Sequence, residues 1–103
     1  MSRRSLKKIS GRIKETKHLA IVEIRWVDAA STPGWMTEKA YCQTAMCTSV
    51  GYYDGIYNHD NQGDQIHIYG DKGLDNKTYA RCHGIPMENI REFRIVSEGK
   101  NER

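Results

Sequence analysis

Apolar and polar residues alternate with a period of two in several short runs, the pattern of strands that bury one face. In His18–Asp28 the alternation sets in after Val22: Ile24 and Trp26 fall on one face, Glu23 and Arg25 on the other. Leu19 to Val22 are apolar without a break, which predicts burial on both faces at that end. A second strand is predicted over Met46–Tyr53. Thr48, Val50 and Tyr52 share one of its faces, and Cys47, Ser49, Gly51 and Tyr53 the other. Gln65–Tyr69 and Thr78–His83 are short β-like runs, and Arg91–Val96 returns with Phe93 and Ile95 opposite Glu92 and Arg94.

The residues between these runs say how they connect. Pro33-Gly34 ends the first run, and Thr37 can cap a two-turn helix over Glu38–Gln43, its hydroxyl accepting an orphan backbone N–H. Two turn signals then compete. Asp54-Gly55 is a two-residue hairpin pair, whereas Asn58–Gly63 is a longer polar break. The longer break is the better turn, because Gln65–Tyr69 then pairs back over a full-length strand and Gly55 becomes a bulge. Gly51, inside the second strand, marks a bulge or a close backbone approach. Gly70–Asn76 is a cluster of turn residues. Pro86 lacks an N–H and disfavours helix at Ile85, so pairing stops there and a one-turn link leads to Ile90. The expected fold is mainly β: a small SH3-like or Sm-like five-stranded barrel over residues 18–96, with one short helix. A basic arm, residues 1–17, precedes it, and a polar tail, residues 97–103, follows.

Charge changes the picture of the arm. Seven basic side chains (Arg3, Arg4, Lys7, Lys8, Arg12, Lys14 and Lys17) stand against Glu15, a net of +6. The other nine basic and twelve acidic residues give the remainder −3, so the overall charge of +3 belongs to the arm. Such a cluster can neutralise phosphates or keep a solvated tail soluble. Leu6, Ile9 and Ile13 fall on one face if the arm is helical, although Gly11 weakens that helix by about 1 kcal/mol. The length suits one domain with a modest core, and no apolar run approaches a membrane span or a signal peptide. A cytoplasmic protein is expected, with Cys42, Cys47 and Cys82 as reduced thiols.

Candidate chemistry is sparse. Cys42, Cys47, His59, His67, Cys82 and His83 include no Cys-x-x-Cys knuckle, and adjacent Cys82 and His83 face opposite ways along a strand, so no metal is expected. No cofactor motif or nucleophile elbow is present, and Asp54, Asp60, Asp64, Asp71 and Asp75 read as solvated turn carboxylates rather than general acids. A non-enzymatic protein is expected. The stronger signal is aromatic: Trp26, Trp35 and six tyrosines can stack on bases and keep a polar tip for hydrogen bonds. With Arg25 and Arg81 for a phosphate and Asp28 for a ribose or amino edge, they can hold a nucleotide. The candidate ligand residues are Tyr53, Arg81, Asp28, Trp35 and Arg25, with Trp26 assigned to the core. The same rings can instead bury at a subunit interface, and a homo-oligomer is expected.

Trp26-Val27-Asp28-Ala29, Gly34-Trp35, Thr48-Ser49-Val50-Gly51-Tyr52-Tyr53 and Ile85-Pro86 to Ile90 resemble a group of short bacteriophage and prophage proteins with small Sm-like barrels. The resemblance covers about residues 20–96 and does not extend to the basic arm or the cysteines. Proteins of this group often act in host takeover or against host defences. The resemblance therefore implies a host-interaction protein, in the host cytoplasm, that sequesters a nucleotide or nucleotide-based immune signal. Two other functions fit the same residues: an RNA- or DNA-binding module that uses the arm, and a protein–protein inhibitor that blocks a host defence enzyme with its aromatic face.

Overall fold

A computed structural model describes residues 3–29, 44–59 and 63–98 of the chain. The order of elements is α1 (Arg3–Lys14), β1 (Ile21–Ala29), β2 (Thr44–His59), β3 (Gly63–Lys72), β4 (Tyr79–Pro86), a 3-10 turn (Met87–Asn89) and β5 (Ile90–Ser97). The five strands form one antiparallel sheet in the order β4-β3-β2-β1-β5. The expected turn at Pro33-Gly34 and the helix over Glu38–Gln43 lie outside the described residues.

The alternation read from β1 holds. Val22, Ile24 and Trp26 are buried and Arg25 is exposed, while Phe93 stands opposite Ile24 on β5. The strand begins later than its apolar start suggests. Leu19 has a left-handed backbone (φ 70°) and belongs to the turn that links α1 to β1, so Leu19 and Ile21 are only half-buried while Ala20 and Val22 are fully covered. β2 is the long element. Its first half pairs with β1 from Thr44 to Tyr52, and its second half with β3 from Tyr52 to His59. The Asn58–Gly63 break is the hairpin, with His59 opposite Gly63, and Asp54-Gly55 lies within the strand at a register shift. Gly51 sits where β2 changes partners. A Cβ there would stand 2.7 Å from the backbone oxygen of Tyr69, so the two strands need a residue without a side chain. Pro86 ends β4, and one 3-10 turn delivers Ile90 to β5, as its spacing predicts.

All five strands contribute to one core: Val22, Ile24, Trp26, Tyr53, Ile66, Ile68, Ile85, Ile90 and Phe93. A flat sheet cannot achieve this. β4 and β1 lie three strands apart in the order, about 14 Å in a flat sheet, yet the rings of His83 and Trp26 meet edge-on with centroids 5.4 Å apart. The sheet therefore curls over its apolar face. Trp26 satisfies its buried indole N–H by donating to Ser49 Oγ at 3.0 Å.

Helix α1 closes the core from outside the sheet. Ile13 is fully buried within the core cluster and Ile9 packs against it, so apolar side chains of the basic segment take part in the core. Arg12 donates from Nη1 to the Phe93 carbonyl on β5 at 3.0 Å, and Thr16 Oγ1 donates to the Arg12 carbonyl at 2.8 Å. The second bond satisfies a carbonyl of the last helical turn. An isolated 12-residue helix with an internal glycine is marginal in water. Docking of its apolar stripe supplies the missing stability.

Candidate functional site

Among the described residues, the expected ligand side chains make their contacts with different partners. Tyr53 lies in the core, 5% exposed, with its ring edge-on to Phe93 at 6.4 Å, and has no open face on which a base could stack. Arg25 is on the outer face of β1 in an exposed pair with Glu92 (3.5 Å), and Asp28 is exposed near the end of that strand. Arg81 lies on β4, three strands from β1 in the sheet order. Its guanidinium makes a two-pronged pair with Asp71, Nε to Oδ2 at 2.7 Å and Nη2 to Oδ1 at 3.0 Å, which holds it protonated even more firmly than usual. The Arg81 backbone is left-handed (φ 59°), a conformation a side chain rarely takes, and the guanidinium lies over Gly70, where a Cβ would come within 3.2 Å of Nε. Trp35 lies outside the described residues.

A different group of side chains converges. Register slips by one between Tyr53–Ile68 and Gly55–His67, which leaves Asp54 as the extra residue of a bulge in β2. Its carboxylate is not that of a turn, and only 14% of the side chain is exposed. Tyr57 donates to Oδ2 at 2.5 Å, Tyr69 reaches the same oxygen from β3 at 3.5 Å, and His18 Nε2 stands 3.0 Å from Oδ1. His18 arrives there because the segment after α1 is tied to β2 by two backbone bonds, Leu19 N–H to the Tyr53 carbonyl and Tyr53 N–H to the Ala20 carbonyl.

Around this carboxylate the rings lie in pairs. Tyr57 stacks on His67 with centroids 4.4 Å apart, and Tyr69 stacks on Tyr79 at 4.8 Å, both pairs inclined by 26°. His18 meets Tyr79 edge-on at 6.5 Å. Lys72 places its ammonium 5.4 Å from the centre of the Tyr52 ring and donates to Asn76 Oδ1 at 2.9 Å. The β3–β4 turn beneath Tyr79 is fixed by Asp75, which accepts from Lys77 N–H, Thr78 N–H and the Thr78 hydroxyl; these bonds hold its pKa below the ordinary value.

Electrostatics follow from these contacts. Burial alone would push the Asp54 carboxyl up. The hydrogen bonds from Tyr57 and His18, with the nearby imidazoles of His18 and His67, outweigh it and bring the pKa below the usual value. The same carboxylate acts in reverse on the phenols. Its hydrogen bond pushes Tyr57 up to about 12, and burial followed by the Asp54 charge raises Tyr69. Asp54 is thus an anion spent on holding two tyrosines and a histidine.

Sequence patterning missed this cluster because it assigned Asp54 to a turn. The signal lay in the bulge itself, placed at Gly55 by the sequence but at Asp54 by the register, since the extra residue of a bulge leaves the alternation and can face its neighbours' side chains. Compared with known proteins, the chain matches no family profile, no curated protein sequence and no solved structure. Among the described residues, no helix is long and apolar enough to cross a membrane.

Proposed function

We propose that this chain is a non-enzymatic nucleic-acid-binding module whose surface joins a basic helix to an aromatic sheet face. The observation that carries the reading is the way α1 is held. Ile13 and Ile9 turn its apolar stripe into the core, which leaves Lys7, Lys8 and Lys14 exposed on the helix, with Lys17 just beyond it. The next residue, His18, is pinned to Asp54 amid Tyr57, Tyr69 and Tyr79. The basic segment thus leads directly into the ring cluster, and cations for phosphates with rings for bases are the combination that nucleic-acid surfaces use. Capture of a small nucleotide by Tyr53, Arg81, Asp28 and Arg25 is less well supported, because those side chains are dispersed or buried. The curl of the sheet, with His83 of β4 against Trp26 of β1, favours a small SH3-like or Sm-like barrel as the scaffold. A phage host-interaction role would then be exerted on host RNA or DNA.

The test is fluorescence anisotropy with labelled RNA and DNA over a range of salt. If four exposed lysines meet phosphates, the slope of log K against log salt is about −2.8 for a single strand. Between 50 and 200 mM salt the affinity then falls about fiftyfold. Lys7→Glu with Lys14→Glu should flatten that slope. Salt-independent binding of a mononucleotide would favour small-ligand capture instead, and absence of nucleic-acid binding would refute the proposal.

A further inference from the structure

We infer that the Asp54-centred rings form a platform for unpaired bases, and that this platform makes the module select single strands over duplex. The inference rests on the nucleic-acid reading and assigns the two parts of that surface different tasks. The helix offers point charges, which attract phosphates of either form. The rings offer flat faces, which only unstacked bases can meet, because a duplex spends its base faces on its own stack.

Geometry supports a built platform rather than scattered aromatics. Tyr57 from β2 and Tyr69 from β3 direct their hydroxyls to one oxygen of Asp54, so their tips converge while each ring lies on a partner, His67 or Tyr79. Tyr57 remains 42% exposed despite that stacking, so ring surface stays open to a base. Tyr79 is fixed independently, its hydroxyl donating to the Asn76 carbonyl at 2.7 Å. Rings held in place before binding lose little freedom when a base arrives. The carboxylate does not spoil the site for a polyanion: it is mostly covered and is spent on His18, Tyr57 and Tyr69. Asp54 is thus a positioning residue, and Tyr57 the principal contact.

The experiment compares labelled oligo(dT) of about twelve nucleotides with the corresponding dT·dA duplex, using the full chain and two ring variants. A strand of that length spans the usual range of such sites, about 4–16 nucleotides. Wild type is expected to prefer the single strand by about tenfold or more. Tyr57→Ala should lose about five- to a hundredfold on the single strand and leave duplex binding unchanged. Tyr79→Ala gives the same readout should Tyr57→Ala fold poorly, as melting curves will show. Tyr57→Phe keeps the ring but releases it from Asp54 and should lose several-fold; wild-type behaviour of that variant would overturn the role of Asp54. Salt-sensitive binding with equal affinity for both forms, unaffected by the ring variants, overturns the platform and leaves the helix-based reading intact. No binding of either form overturns both.

Discussion

Truncation of Ile13 to alanine tests how firmly the N-terminal helix belongs to the fold. Ile13 is fully buried and touches the core across the helix–sheet boundary. Its side chain loses three carbons on substitution, about 2.4 kcal/mol of transfer free energy at ~0.8 kcal/mol for each. A residual cavity adds to this, and isoleucine-to-alanine changes in cores cost about 2–5 kcal/mol. Alanine is the better helix former, which offsets roughly 0.4 kcal/mol. The net expectation is a loss of about 2–4 kcal/mol. For a domain near one hundred residues, each kcal/mol lowers Tm by about 4 °C, so a fall of about 8–16 °C is expected. Circular dichroism melts, with urea unfolding to check that the m-value is unchanged, measure it. Ile9→Ala, at the rim of the cluster, should cost less. A Tm within about 2 °C of wild type, or a melt in which the helix unfolds before the sheet, would show that α1 is an appendage. The proposed surface would then lose its fixed geometry.

The glycines should respond in opposite directions. A Cβ at Gly11 meets nothing, so Gly11→Ala should stabilise the exposed helix by about 0.5–1 kcal/mol. At Gly51 the new methyl would strike the Tyr69 carbonyl at 2.7 Å, so Gly51→Ala should destabilise by about 1–3 kcal/mol, or more if β3 cannot shift; equal Tm values for the two variants would contradict this. The Asp54 cluster predicts pH effects at both extremes. Asp54 and Asp75 have lowered pKa values in the fold, so their contribution is present above the ordinary carboxylate range, near 4, and lost as pH falls through the folded values. Asp54→Asn should therefore melt with a weaker dependence on pH below about 4 than wild type. Tyr57, raised to about 12, contributes below the ordinary phenol value near 10 and loses that contribution as pH rises towards 12. An ultraviolet titration should lose one late phenol in Tyr57→Phe; ionisation of all tyrosines near pH 10 would refute the hydrogen bond to Asp54.

What the sequence alone determined is what period and turn chemistry encode locally. Ile24 and Trp26 share a buried face with Phe93 because a strand sends alternate side chains to opposite sides whatever surrounds it. Pro86 ends β4 because it has no N–H to give, and Gly51 marks the close approach because a Cβ there would strike the Tyr69 backbone. Alternation, however, names two faces without saying which lies inside. Tyr53 and Tyr57 look alike as tyrosines in one strand; only the bulge at Asp54 and the curl of the sheet send the first into the core and leave the second outside. The docking of α1 and the meeting of His18, Tyr57 and Tyr69 on Asp54 were likewise beyond the reach of patterning. His18 and Tyr69 lie 36 and 15 positions from Asp54, and such contacts depend on how strands cross and register rather than on any neighbour in the chain. The tertiary structure decided the site because the free energy that places a side chain there comes from partners on other elements.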